Sequence, residues 1–220
     1  MQPNYEAAAT AALNLLIENH TTETPIDSLS ILLSRPGVRV MTFSEMASEA
    51  GEARDALVPL FGKNQDAVTF KLLHPIQNVD YVVVYNRFLS ADVVSRGIAR
   101  ELGHIVMGHD GQTRPSDVRM AEALCFAHHL LSPRPVLRLL QEAGVAITLD
   151  VLAETTGCSS DCVKGLQTIP GVHIKKELNQ QVKAQFEKEI LEYVRFRSDS
   201  HKTDSSPVID FGSFMDNYED

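Results

Sequence analysis

The chain has few cysteines, no long apolar run and no excess of positive charge, and each absence argues against a class of protein. Three cysteines in 220 residues provide no disulfide framework, and an odd number suits a reducing compartment. No stretch is long and apolar enough to cross a bilayer, and the first residues lack the basic start and apolar core of a secretory signal. We therefore expect a cytoplasmic protein without a membrane partner.

The charge and size of the chain narrow its class further. A formal net charge of −9 argues against a general surface for nucleic acids or anionic membranes. The mass of 24.3 kDa allows one good core with a small appendage rather than two large domains. The sequence contains no internal repeat and no glycine-rich phosphate loop.

The spacing of apolar residues predicts an α+β fold that is mainly helical and has a small β-sheet. A first helix is expected from about Tyr5 to Glu18, and a second from Pro25 through Leu33, with Thr24 as its cap. The predicted strands, separated by turn residues, are Val38 to Phe43, Ala67 to Leu72 and Tyr81 to Tyr85, with the last turn at His74 to Asp80.

The most informative segment is Ile98-Ala99-Arg100-Glu101-Leu102-Gly103-His104. Ser90 as an N-cap, Asp92 in the first turn and apolar residues at helical spacing predict a helix here. Except at Arg100, the segment matches the zinc-protease motif H-E-x-x-H. In that motif two histidines one helical turn apart bind the ion, and the glutamate takes a proton from the metal-bound water.

A second segment strengthens the comparison. Glu122-Ala123-Leu124-Cys125-Phe126-Ala127 lies in a predicted helix from about Ser116 to Leu131. Catalytic zinc sites commonly take a third protein ligand from a neighbouring helix and leave the fourth position for water. Alone, Glu122 would be an ordinary solvated glutamate, and Glu101 with His104 an ordinary surface pair. Both segments in order favour a site.

These segments resemble the ImmA/IrrE family of metallo-endopeptidases, whose signature is A-H-E-L-G-H, then E-A-x-x-F-A, then L-L-x-P. Leu130-Leu131-Ser132-Pro133 matches the third motif, L-L-x-P. The resemblance covers the chain from about residue 25 to about residue 174. It implies a zincin-like, gluzincin-type domain in which His104 and Glu122 bind zinc and Glu101 is the general base. Members of the ImmA type cleave the repressor of an integrated phage or mobile element.

Arg100 stands where the family has its first histidine ligand. Arginine stays protonated and offers only hydrogen-bond donors, so it cannot coordinate a cation and would repel zinc. We expect a weakened or absent zinc site, with the guanidinium paired to Glu122 or Glu101.

Other residues offer limited replacement for the missing ligand. His109 turns away from the cleft stripe unless the helix breaks at Gly108. His129 is too far along its helix from Glu122 to share an ion with it. Cys125 has better reach, although cysteine at such a position is more often a small buried residue. His128 and His129 are expected at the helix end.

The C-terminal part is expected to support the catalytic-type domain. We divide the chain into a metallopeptidase-like domain (1–134), a helix-turn-helix-like helical module (135–174), a helix with an apolar stripe (175–197) and an acidic tail (198–220) expected to be disordered. The would-be recognition helix, 161–167, carries one lysine and one aspartate. This composition disfavours DNA binding and favours a structural or partner-docking module.

Three functions remain open from the sequence. The chain is a protease-shaped protein that recognises a repressor without cutting it, an active zinc endopeptidase that cleaves a repressor, or a DNA-binding regulator. The ligand chemistry of Arg100 favours the first, and the acidity of the chain disfavours the third.

Overall fold

The computed structural model describes most of the chain, and the statements below concern the described residues. These are residues 1–52, 66–76, 78–110, 114–157, 159, 171–199 and 208–209. Within them lie α1 (Tyr5–Glu18), α2 (Ser28–Leu33), β1 (Val38–Thr42), α3 (Phe43–Ala50), β2 (Ala67–Ile76), β3 (Val79–Tyr85), α4 (Ala91–Val106), α5 (Ser116–Leu131), α6 (Arg134–Glu142), α7 (Leu149–Thr156) and α8 (Lys176–Asp199).

The contacts divide the chain into two compact units, one formed by residues 1–2 and 27–124, the other by residues 3–26 and 125–220. The boundary falls inside α5, between Leu124 and Cys125. The four-part division expected from the sequence stays a prediction.

The first unit is built on a three-stranded sheet with the order β1-β3-β2. β1 pairs with β3 in parallel, and β2 pairs with β3 in antiparallel orientation. One side of the sheet packs against α3 in a small core of Met41, Phe43, Ala47 and Val84. Helix α4 packs against β2, β3 and α2, and thereby lies directly beside the edge strand β2.

The second unit is helical. Helix α8 packs against α1 and α6, and its apolar stripe is buried at Leu178, Val182, Phe186 and Ile190. The Gln185 amide also donates a 2.8 Å hydrogen bond to the carbonyl of Leu16, an end residue of α1. The stripe is therefore core packing, as the period of four predicts.

The expected α+β class with a small sheet is confirmed, and so are the helices now called α1 and α5. The second helix begins later than predicted. It starts at Ser28, and the Asp27 carboxylate caps it by accepting from the backbone N–H groups of Leu29 and Ser30. Pro25 is not its first residue, because an acidic N-cap satisfies those donors three residues into the predicted helix.

The strands also differ from their predicted bounds. Phe43 begins α3 instead of ending β1, because Thr42 and Glu45 form a capping box. Strands β2 and β3 continue into the predicted turn at 74–80, as Ile76 is in register with Val79. The alternation of apolar residues fades there, although pairing continues.

Two C-terminal predictions, the helix-turn-helix-like module and the acidic tail, fall only partly on described residues. Helix α7 ends at Gly157, whose φ of 67° is left-handed, but the expected recognition helix at 161–167 lies outside the described residues. Of the acidic tail, 208–209 are described beyond the end of α8: Val208 bridges Thr148, and the Ile209 N–H donates to the carbonyl of Ile147 at 2.8 Å. None of the described helices combines the length and apolarity that crossing a bilayer demands.

Candidate functional site

Helix α4 carries the central motif, and its position follows from an apolar face that is completely buried at Ile98, Ala99 and Leu102. The hydroxyl of Ser90 makes no capping bond, although Ser90 occupies the N-cap position as predicted. The helix ends at Val106. Its polar stripe, which includes Arg100, Glu101 and His104, lines a cavity of about 640 Å³ beside β2.

Arg100 is held by two carboxylates. Its Nη2 lies 2.9 Å from Asp66 Oδ1 and 2.7 Å from Glu101 Oε1, and its Nε donates to the same Glu101 oxygen at 3.0 Å. Nη2 also donates to the carbonyl of Ala67 at 2.9 Å. The predicted pairing of Arg100 with Glu122 or Glu101 is confirmed for Glu101, and Asp66 is a further partner that the sequence did not identify.

Burial and ion pairing act together on these charges. Burial opposes the charge of Arg100, but the carboxylates of Glu101 and Asp66 outweigh this effect and raise the pKa of the guanidinium above its ordinary value. Burial likewise raises the pKa of the Glu101 carboxyl, and Arg100 offsets part of the rise. The candidate general base is therefore paired with a permanent cation.

Gly97 makes room for Asp66, the residue that sequence patterns did not identify. A Cβ atom at position 97 would lie 2.7 Å from the Asp66 Cγ and 2.9 Å from its Cβ. Only a glycine lets the strand end approach α4 this closely, so the ion pair depends on a missing side chain in the neighbouring helix.

Replacement of Gly97 tests this close approach. We expect Gly97→Ala to lower the free energy of unfolding by roughly 1–3 kcal/mol, because the clash displaces Asp66. The measurement is urea unfolding followed by circular dichroism. In an Asp66→Gly background the same change should stabilise by about 1 kcal/mol, the ordinary helix preference for alanine. Stabilisation in both backgrounds would show that Asp66 does not occupy this space.

His109 enters the site by a backbone turn that the helical pattern does not show. The helix stops at Val106, and Gly108 adopts a left-handed φ of 63°, so the chain folds back. His109 Nδ1 then lies 3.0 Å from His104 Nδ1, and its Nε2 lies 2.9 Å from Glu122 Oε2. His109 was expected to turn away from the cleft unless the helix breaks at Gly108. Because the helix does end before Gly108, His109 lies in the site.

The protonation of this chain of groups follows from its surroundings. Burial lowers the pKa of His104 to about 4, with His109 and Arg100 contributing, and burial also lowers the pKa of His109 against the effect of Glu122. Both rings are therefore neutral at neutral pH. His109 Nε2–H donates to the carboxylate, and its Nδ1 accepts from His104 Nδ1–H.

Glu122 is completely buried and its carboxylate is strongly engaged. Arg114 Nη1 lies 2.8 Å from both of its oxygens, in addition to the contact with His109. No sequence pattern marks Arg114, which follows the short segment between the two helices. A second fixed cation thus pairs with the carboxylate that the resemblance implies as a zinc ligand.

These contacts do not suit the zinc that the family resemblance implies. His109 uses its two opposite ring nitrogens for His104 and Glu122, so its imidazole lies between the two predicted ligands instead of joining them on one ion. Within the part of the chain that is described, no three His, Cys, Asp or Glu side chains converge as a metal site. Arg100 completes the mismatch, because it has no lone pair to donate.

Cys125 and the following histidines take part in other contacts. The Cys125 thiol donates to the carbonyl of Tyr5 at 3.5 Å, inside the second unit. His129 Nδ1 bonds the Cys125 carbonyl at 2.9 Å. His128 and His129 lie in the last turn of α5, as expected. Cys125 is buried, which agrees with the prediction that it is a small buried residue and not a metal ligand.

The cavity extends from this network along β2. Thr69 and Lys71 of β2 line it, and Lys71 forms an ion pair with Asp110. The Tyr81 hydroxyl of β3 donates to the same Asp110 carboxylate at 2.7 Å. Among the described strands β2 pairs with β3 alone, so it is an edge strand of the sheet, and residues of it line the cavity.

Comparison with known proteins gives no match: no family model, curated protein or solved structure is similar enough to the chain to identify a relative. The ImmA/IrrE resemblance therefore rests on the three sequence segments. The structure shows the α+β class and the geometry of the charge network.

Proposed function

We propose that the chain is an ImmA/IrrE-like metallopeptidase homologue that binds a protein target, a phage or mobile-element repressor, and has lost or nearly lost catalysis. One observation carries this proposal. The guanidinium of Arg100, the residue that stands where the motif the chain resembles has its first histidine, is held by Asp66 and Glu101. A buried arginine with two carboxylate partners is costly to displace, so a metal would have to break a stable arrangement.

Target binding does not require the metal. The edge of β2 beside the cavity has the form of a site for strand addition, in which backbone hydrogen bonds hold an extended peptide and neighbouring pockets select its side chains. Thr69 and Lys71 of β2 line the cavity together with Arg100 and His104 of α4. This arrangement supports recognition of an extended segment of a repressor.

An active zinc endopeptidase is the second candidate, and one observation favours it. Glu101 and His104 line the same cavity, and Glu122 reaches His104 through His109. Catalysis would require both Arg100 and His109 to leave their present partners. No contact of the described residues favours the third candidate, a DNA-binding regulator.

Zinc content separates the first two candidates. The unmodified chain, Arg100→His and the control Arg96→His are purified, equilibrated with zinc and measured by mass spectrometry. Arg96 lies one turn earlier on α4, is about one-third exposed and pairs with Asp92, so the control adds a histidine to the same helix outside the cavity. We expect sub-stoichiometric zinc in the unmodified chain and the control, and an affinity roughly tenfold higher or more in Arg100→His.

The same three proteins are then incubated with the repressor encoded nearest to their gene. We expect the unmodified chain to retain the repressor equally well with and without a chelator and to leave it intact. Stoichiometric zinc together with cleavage by the unmodified chain would establish the peptidase instead. Equal zinc content in all three proteins would show that Arg100 does not decide metal binding.

A further inference from the structure

Among the described residues, three cationic side chains line the cavity, and one of them differs from the other two. Arg100 is held by Asp66 and Glu101, and Lys71 by Asp110. Arg119, on α5, has no carboxylate partner among the described residues. Its Nη1 donates to the backbone carbonyl of His109 at 2.8 Å, which fixes the guanidinium at the cavity wall.

Arg119 also has an unused donor. Its Nε is buried and has no hydrogen-bond partner among the described residues. A buried donor of a charged group is normally satisfied, so this guanidinium retains hydrogen-bonding capacity that the described residues do not use. The guanidinium offers five N–H groups in a planar fork, which matches the two oxygens of a carboxylate.

We propose that the Arg119 end of the cavity is a carboxylate subsite, which receives an acidic side chain or the C-terminus of the bound peptide. The inference rests on the proposed peptide-binding function and specifies its target chemistry. Ile105 and Met120 line the cavity as well, and they offer apolar contact for the short stem of an aspartate or glutamate.

The distribution of charge determines where the anion lies. Around Arg100, one guanidinium faces the two carboxylates of Asp66 and Glu101. An incoming carboxylate is repelled there and attracted to Arg119. The histidines supply no further positive charge while they are neutral. A single unpaired guanidinium suits a monoanion better than a phosphate dianion, which would need a second cation.

Three short peptides test the subsite. The first is acetyl-Ala-Ala-Glu-Ala-Ala-amide, the second has Gln in place of Glu, and the third is the Gln peptide with a free C-terminal carboxylate. Each is titrated into the full chain to millimolar concentration, and the Arg119 Nε–H signal is followed by NMR. The same titrations are made with Arg119→Gln, with Arg119→Lys and with Arg96→Gln, a control outside the cavity.

We expect one of the two carboxylate peptides to bind roughly tenfold more tightly than the neutral peptide and to shift the Arg119 Nε–H signal. The first peptide reports an acidic side chain, and the third a C-terminus. The preference should disappear in Arg119→Gln, weaken in Arg119→Lys and persist in Arg96→Gln. If Arg119→Gln does not fold, the subsite is still tested by the unmodified chain, through its preference among the three peptides and the shift of its Arg119 Nε–H signal.

Two results overturn the subsite. Equal binding of all three peptides would refute it while leaving the peptide-binding function intact. The absence of any shift of the Arg119 signal with both carboxylate peptides would refute it as well. Retention of the whole repressor is measured separately, so failure of the proposed function is recognised independently.

Discussion

Arg100→Ala is expected to lower the free energy of unfolding by roughly 3 kcal/mol at neutral pH, because it leaves two carboxylates without their cation. The Glu101 side chain is 6% exposed and that of Asp66 is 18% exposed, so water replaces little of the lost interaction. The hydrogen bond to the carbonyl of Ala67 disappears in the same variant. Urea unfolding monitored by circular dichroism measures the loss.

The effect of this substitution should depend on pH in a defined direction. Burial already raises the pKa of Glu101, and removal of Arg100 removes the opposing influence, so the folded-state pKa rises further. The folded variant then binds more protons than the unfolded chain between the ordinary pKa and the raised value. Its stability therefore falls as pH rises through this window, and the difference from the parent shrinks as pH is lowered toward 5.

Arg96→Ala is the matched control for Arg100→Ala. It lies on the same helix, where its guanidinium makes a 3.8 Å pair with Asp92. This substitution should change the free energy of unfolding by about 0.5 kcal/mol, with no comparable pH dependence. A similarly small effect of Arg100→Ala at neutral pH would contradict the central role given to the ion pair and would weaken the argument against zinc.

His129→Asn is expected to reduce the loss of stability between pH 7 and pH 4.5 by roughly 2–3 kcal/mol, the second large effect. Burial, with Arg134 contributing, lowers the pKa of His129 to about 3. Because the ordinary value is near 6.5, the unfolded chain binds more protons than the folded chain between these values. The stabilisation is complete above about pH 6.5 and is lost as pH falls, by roughly 2–3 kcal/mol at pH 4.5.

Asparagine keeps a donor for the Cys125 carbonyl, which the ring now contacts at 2.9 Å, but it does not titrate. We expect the variant to have a lower free energy of unfolding than the parent at pH 7, because it loses packing. At pH 4.5 this difference in free energy should be smaller by roughly 2–3 kcal/mol. His173→Asn, at an exposed position in the same unit, is the control for replacing a histidine by asparagine, and its stability relative to the parent is measured at the same two pH values. A constant gap for His129→Asn would show that this ring is not buried in the neutral form.

Local pattern was sufficient for much of the fold. The bounds of α1 and α5 follow from apolar spacing and end signals, because one face of each helix must be buried whatever its neighbours are. The start of α2 and the extent of the β2 and β3 strands were less accurate. There the outcome depends on a single cap and on strand pairing, which local periodicity does not report.

In the site, too, local sequence pattern predicted some residues and long-range packing determined others. Glu101, His104 and Arg100 share a stripe by helical geometry alone, and Gly108 was the one local signal for the return of His109. Nothing near Asp66 or Arg114 in the sequence points to the site. Asp66 lies 34 positions from its partner, and only the packing of β2 on α4 brings them together.

The sequence by itself determined that position 100 cannot supply a metal ligand, since a guanidinium lacks a lone pair in any fold. It also determined which residues form the polar face of α4. Only the tertiary structure decided which partners the buried charges take, with Asp66 and Glu101 around Arg100, and His109 and Arg114 on Glu122. The reason is physical: side-chain chemistry is intrinsic to a residue, whereas the partners of a buried charge are chosen by long-range packing.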